Sequence, residues 1–115
     1  MISVLIVEDS PTILQYLSIL VNAEPELTVI GTAVNGLDAV DKVKLLKPDV
    51  VIMDIEMPKL DGIAATRRIM AENPLPIVIC SANLDQDLTE KSYRAIEAGA
   101  LVAVAKPKGP GAPGV

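Results

Sequence analysis

Residues 49–62 read DVVIMDIEMPKLDG. The apolar run Val50 to Met53 suits the inside of a sheet, and it delivers Asp54 to its end before Ile55, Glu56, Met57 and Pro58 lead away. An acid at the end of a buried strand is either a turn residue or a working group. Asp61-Gly62 reads as a turn and Ile63 to Ala71 as a helix, so the stretch is one strand-loop-helix unit.

The unit repeats on both sides. Upstream, ISVLIV (2–7) is strand-like, and Ser10-Pro11 opens a helix in which Ser10 caps and Pro11 suits the first turn. That helix carries Ile13, Leu14, Leu17, Leu20 and Val21 on one stripe, the spacing of a single buried face. LTVIGTA (27–33) reads as a second strand and Asn35-Gly36 as a turn. Leu37, Val40 and Val43 are the expected buried positions of a second helix, which ends at Lys47-Pro48 because a residue before proline is pushed out of the helical region. DVVIMD (49–54) is strand three. Downstream, PIVICS (76–81) and ALVAVAK (100–106) are strands four and five, with a helix around Asp87 to Ala98 between them. The ending KGPGAPGV reads as linker. Strict strand-helix alternation without internal repeats predicts an α/β fold, a parallel sheet with right-handed crossovers and helices on both faces.

Composition agrees. The chain's 115 residues suit one domain. Half are hydrophobic, yet there is no Phe, no Trp and only two Tyr, so the core is built from Val, Ile, Leu, Ala and Met, the palette of a parallel sheet. Fifteen acids against ten bases give a net charge of -5 and no electrostatic footprint for nucleic acid or an anionic membrane. Lone Cys80 cannot form an intrachain disulfide, MISVLIVEDS lacks the features of a secretory signal, and no apolar run approaches the roughly 18 residues of a membrane span. A reducing cytoplasm is the expected location. The absence of histidine removes the commonest general base, the commonest zinc ligand and a self-contained phosphohistidine.

Parallel sheets of this kind bind ligands outside the carboxyl ends of their strands. Glu8 and Asp9 end strand one, Asp54 strand three, Ser81 strand four and Lys106 strand five; if the strand order is 2-1-3-4-5, all five open onto one crevice. Three converging carboxylates repel unless a cation joins them, and hard oxygen ligands suit Mg²⁺. A lysine and a hydroxyl beside the metal match the needs of phosphoryl transfer, with Asp54 as the nucleophile that becomes an acyl phosphate. Taken singly, each is more often a cap, a turn residue or a solvated charge; the coincidence of strand ends makes the functional reading. Cys80, Met53 and Met57 read as packing groups.

The spacing of VLIVEDS, VVIMDIEMPKLDG, VICSAN and AVAKP resembles the receiver domain of two-component response regulators, over residues 1 to about 108. The resemblance implies a flavodoxin-like, doubly wound five-stranded sheet of order 2-1-3-4-5. Residues 1–108 would be the receiver domain and 109–115 a Pro/Gly-rich tail or linker. It further implies that Glu8 and Asp9 hold Mg²⁺ with Asp54 and the backbone carbonyl of Glu56, that Asp54 accepts the phosphoryl group, that Ser81 is the switch hydroxyl and that Lys106 pairs with the phosphoryl group. Pro107 matches a position where the family often carries a cis peptide, and Glu56 and Asn83 match positions that tune the phosphoryl lifetime. The implied partners are a histidine kinase as phosphodonor and an output domain or partner protein.

DIEMPKLDG with AKPKG is most similar to the receiver domains of chemotaxis protein-glutamate methylesterases. The methylesterase reaction would need another domain, because the chain has no G-x-S-x-G elbow and no histidine. No independent enzyme activity is expected here beyond self-phosphorylation and dephosphorylation.

Two departures stand out: Ala103 occupies the position where the family usually carries Tyr or Phe, and no fifth helix is read after strand five, so the uncovered sheet face is expected to be covered by a second copy of the chain in a homodimer, by the Pro/Gly tail folding back, or by whatever follows Val115 in the parent protein. Two other readings stay open. An aspartyl-phosphate phosphatase would place D-x-D where this chain has Glu8-Asp9-Ser10. A Toprim-like metal-dependent nucleic-acid enzyme would use Glu8, Asp54 and Glu56 as ligands, against the acidic charge.

Overall fold

Strands and helices alternate throughout the computed structural model, which describes residues 1–81 and 88–106. The elements are β1 (Ile2–Val7), α1 (Pro11–Asn22), β2 (Leu27–Ala33), α2 (Gly36–Leu46), β3 (Val50–Met53), α3 (Gly62–Glu72), β4 (Ile77–Ser81), α4 (Leu88–Glu97) and β5 (Val102–Ala105). The pairs expected as turns do more than turn. Asn35 and Asp61 cap α2 and α3, accepting the N–H of Asp38 and of Ala64 at 2.8 Å each, and the glycine after each cap is the first helical residue. Ser10 caps α1 with Pro11 in the first turn, and α2 stops at Lys47, whose φ of 50° is the left-handed conformation that ends a helix ahead of Pro48.

The strands form one parallel sheet in the order β2-β1-β3-β4-β5. Helices α2, α3 and α4 cover one face, packing Val40, Val43, Ile63, Ile69 and Ala95 against Leu5, Val51, Met53, Ile77 and Ile79. Helix α1 covers the other, burying Val4 and Ile6 under Leu17 and Val21 and leaving Val50 and Ile52 partly covered. On that same face the register sets Val102 beside Val78 and Val104 beside Cys80, and both valines are 41% exposed. The fifth-helix, tail and Pro107 expectations fall on residues outside those described. No described helix is long and apolar enough to cross a membrane.

Two expected core positions are corrected. Leu20 is 39% exposed, because it lies at the rim of the stripe centred on Leu17 and Val21. Leu37 is 42% exposed; the buried face of α2 runs through Ala39, Val40 and Val43, and at about 100° per residue Leu37 falls nearly opposite Ala39. Strand three is also shorter than expected, with Asp49 and Asp54 flanking it.

Asp49 instead ties the entry of β3 to β1. Its Oδ2 accepts the Ser3 N–H at 2.8 Å and the Ser3 hydroxyl at 3.0 Å, and the Ser3 N–H above all holds the carboxyl below its ordinary value of 3.8. A depressed carboxyl stabilises the fold at neutral pH and loses that contribution as pH falls through its depressed value. Asp49→Ala should therefore lower the urea midpoint at pH 7, with the gap to wild type narrowing below about pH 4.

Candidate functional site

β1 and β3 lie in register with Val7 opposite Met53, so the next residues, Glu8 and Asp54, leave the sheet at one level. The backbone is still anchored there: the Asp54 N–H donates to the Val7 carbonyl at 3.0 Å and the Glu8 N–H to the Ala33 carbonyl at 2.9 Å. Across the sheet, Ser81 pairs with Ala105, and the Lys106 N–H donates to the Ser81 carbonyl at 3.1 Å. Four strand ends thus deliver Glu8, Asp9, Asp54, Ser81 and Lys106 to one end of the sheet.

Their side chains meet unequally. Lys106 Nζ lies 2.7 Å from Glu8 Oε1 and 3.2 Å from Asp54 Oδ2. Glu8 is 1% exposed and Asp54 5%, while Asp9 is exposed. Glu8 also accepts the Ser10 N–H at 3.1 Å through Oε2, which ties the acid to the start of α1. Oxygens of Glu8, Asp9 and Asp54 all lie within 4.8 Å of one another. Ser81 is buried and Glu56 is exposed. Asn83 lies outside the described residues, and Ala103 is partly buried against the core on the α2–α4 face.

Burial, followed by the charge of Glu8, pushes the Asp54 carboxyl up to about 6 in spite of Lys106. For Lys106 burial works downward, but the hydrogen bond to Glu8 and the charges of Asp54 and Glu8 outweigh it and hold the ammonium above its ordinary value. One ammonium does not offset three carboxylates, and the donor set is all oxygen, partly open to solvent at Asp9. That combination fits a hard divalent cation such as Mg²⁺, which binds through one or two carboxylates and keeps several waters. The neighbouring Cys80 is buried, and desolvation pushes its thiol up to about 11.

The loop from Asp54 to Asp61 is clamped by two glycines. The Gly62 N–H donates to the Ile55 carbonyl at 2.7 Å and the Gly36 N–H to the Leu60 carbonyl at 2.9 Å. A Cβ on Gly62 would sit 2.8 Å from the Asp54 carbonyl carbon and overlap its oxygen. Beside the acids opens a cavity of about 560 Å³ between this loop and α4, lined by Asp9, Glu56, Ile55, Met57, Ile63 and Arg94 among others. Sequence reasoning missed Arg94, since an exposed residue within a helix leaves no periodic signature; only the docking of α4 brings it there.

Residues 4–112 match the response regulator receiver domain family. The chain belongs to that family. Of the three readings open in the sequence, the match favours the receiver domain of two-component signalling. This receiver domain is 51% identical over 113 residues to a protein-glutamate methylesterase/protein-glutamine glutaminase of Geobacter metallireducens, covering 98% of this chain and 33% of the relative. A counterpart from Anaeromyxobacter dehalogenans is 50% identical over 114 residues, with 99% and 33% covered. The receiver domain therefore spans about a third of the length of these curated relatives. Among solved structures, the response regulator domain of Thermotoga maritima CheB superposes with a TM-score of 0.87 at 38% identity, over 95% of this chain and 81% of that one. A chain of the CheX-CheY-BeF3-Mg complex of Borrelia burgdorferi is also similar, with a TM-score of 0.81 at 32% identity over 94% and 80%.

Proposed function

We propose that this receiver domain accepts a phosphoryl group on Asp54 from the phosphohistidine of a sensor kinase and thereby controls a chemotaxis methylesterase domain in the same protein. The observation that carries the reading is the Lys106 ammonium held between Glu8 and Asp54 at the mouth of an all-oxygen acid cluster. An Asp54 carboxylate oxygen attacks the donor phosphorus, the bond from phosphorus to the donor breaks, and its electron pair leaves with the donor. Lys106 faces the transferred group and offsets charge on its oxygens, and Ser81, at the end of β4, supplies the hydroxyl that responds to it. Glu8, Asp9, Asp54 and the Glu56 carbonyl would hold Mg²⁺, which when bound neutralises the acid cluster and the phosphoryl oxygens. Glu8 has a second task, fixing Lys106 against the sheet. The acidic surface and the methylesterase relatives favour a protein partner in the cytoplasm over nucleic acid.

Incubation with acetyl phosphate should label Asp54, detected by mass spectrometry, only when Mg²⁺ is present, and a chelator added before the donor should prevent labelling. Asp9→Ala, which takes away the solvent-facing carboxylate, should weaken Mg²⁺ binding about tenfold by calorimetry while the fold persists. Labelling that proceeds equally in chelator from the outset, or that falls on another residue, would refute the reading.

A further inference from the structure

The cavity between the β3–α3 loop and α4 has a lopsided charge. Its described lining offers apolar walls in Ile55, Met57 and Ile63, carboxylates in Asp9, Glu56 and Asp61, and a single cation, Arg94 of α4, the one group there able to offset negative charge on a leaving group. Asp9 belongs to the acid cluster around Asp54, so the cavity opens directly beside the reacting centre. In-line displacement at phosphorus sends the leaving group away from the Asp54 oxygen and out of the strand-end crevice. From the geometry we infer that this cavity is the subsite for the donor's leaving group and that Arg94 makes the domain selective for small-molecule donors whose leaving group departs as an anion. The inference rests on the phosphoacceptor reading of Asp54 and adds to it the class of small-molecule donor the site favours.

The chemistry separates two kinds of donor. With an acyl phosphate, the Asp54 oxygen bonds to phosphorus, the bond from phosphorus to the acyl oxygen breaks, and its electron pair leaves as a carboxylate. Negative charge grows on that oxygen in the transition state, and a guanidinium across the cavity can offset it and hydrogen-bond to it. With phosphoramidate, the nitrogen is already protonated in the reacting form and departs as neutral ammonia. No anion develops, so Arg94 has nothing to stabilise.

The test is the ratio of Asp54 labelling rates with acetyl phosphate and with phosphoramidate, in saturating Mg²⁺, for the whole 115-residue chain. Arg94→Ala should lower this ratio about tenfold, the lower end for a charge-assisted contact from an exposed side chain, and Arg94→Lys should recover most of it. Arg94 is exposed, so neither variant threatens the core. A ratio that does not move, or two rates that fall together, would overturn the inference and leave the phosphoacceptor reading standing. A wild-type chain labelled by neither donor would remove that reading and the inference with it.

Discussion

Asp54→Asn is expected to abolish phosphoryl labelling and, in metal-free buffer at neutral pH, to make the fold more stable. The loss of labelling follows from the loss of the nucleophile, since a neutral amide oxygen does not replace the carboxylate. The gain in stability follows from the site's electrostatics. Asp54 is 5% exposed beside Glu8, and these two influences hold its carboxyl at about 6 against an ordinary 3.8. A raised carboxyl binds its proton more tightly in the folded chain than in the unfolded one. Its contribution is therefore neutral or favourable in acid, and stability is lost as pH rises from about 4 to about 6. Each tenfold difference in proton affinity between the folded and unfolded chain is worth roughly 1.4 kcal/mol, so the asparagine variant should be more stable by about 2 kcal/mol at pH 7.5, with the difference vanishing near pH 4. Lys106 keeps Glu8 as its partner at 2.7 Å, so no charge is orphaned. Urea unfolding in chelator across this pH range checks the sign. A variant less stable than wild type at pH 7.5 would show that the Asp54–Lys106 pair outweighs the burial of the acid.

Gly62→Ala sets two effects against each other. Gly62 opens α3, and glycine in a helix is worth about 0.5–1 kcal/mol less than alanine, so helix propensity alone predicts a stabilised protein. The tertiary contact predicts the reverse. The added methyl would overlap the Asp54 carbonyl oxygen and come within 3.0 Å of Ile55 Cα, both of them backbone atoms with no rotamer to yield. Relief requires α3 to move off the end of β3, which stretches the 2.7 Å bond from the Gly62 N–H to Ile55 and shifts the Asp54 main chain. Such overpacking costs typically 1–3 kcal/mol, and here it should outweigh propensity and leave the variant about 2 kcal/mol less stable. Because the displaced backbone is that of Asp54, Mg²⁺ affinity and labelling rate should fall as well. A urea midpoint at or above that of wild type would mean that the loop shifts without cost.

The alternation of strands and helices and the residue that ends each strand were legible because both are local; the strand order, and with it the convergence of Asp54 with its neighbours, came from the resemblance to receiver domains and agrees with the observed sheet. The side-chain partners were not legible. Glu8 reads along the chain as one of an acid pair beside Asp9, yet in the fold it is buried, accepts the Ser10 N–H and grips Lys106, 98 positions away, whereas Asp9 stays exposed. Leu20 and Leu37 match their helical stripes by periodicity, but how far each helix rolls against the sheet decides which edge of a stripe is covered.

By itself the sequence determined the alternating strand-helix architecture, the aliphatic core, the cap Ser10, the turns at Asn35-Gly36 and Asp61-Gly62 ahead of the next helices, and the set of residues at the strand ends. These are consequences of short-range sterics and of burying a continuous apolar surface. Only the tertiary structure decided that Gly36 and Gly62 serve as points of backbone contact, that Lys106 sits between Glu8 and Asp54, and that Arg94 faces the cavity beside Asp9. The physical reason is that such contacts join atoms far apart in the chain, at separations fixed by how α3, α4 and β5 dock, and docking is a property of the whole packed core.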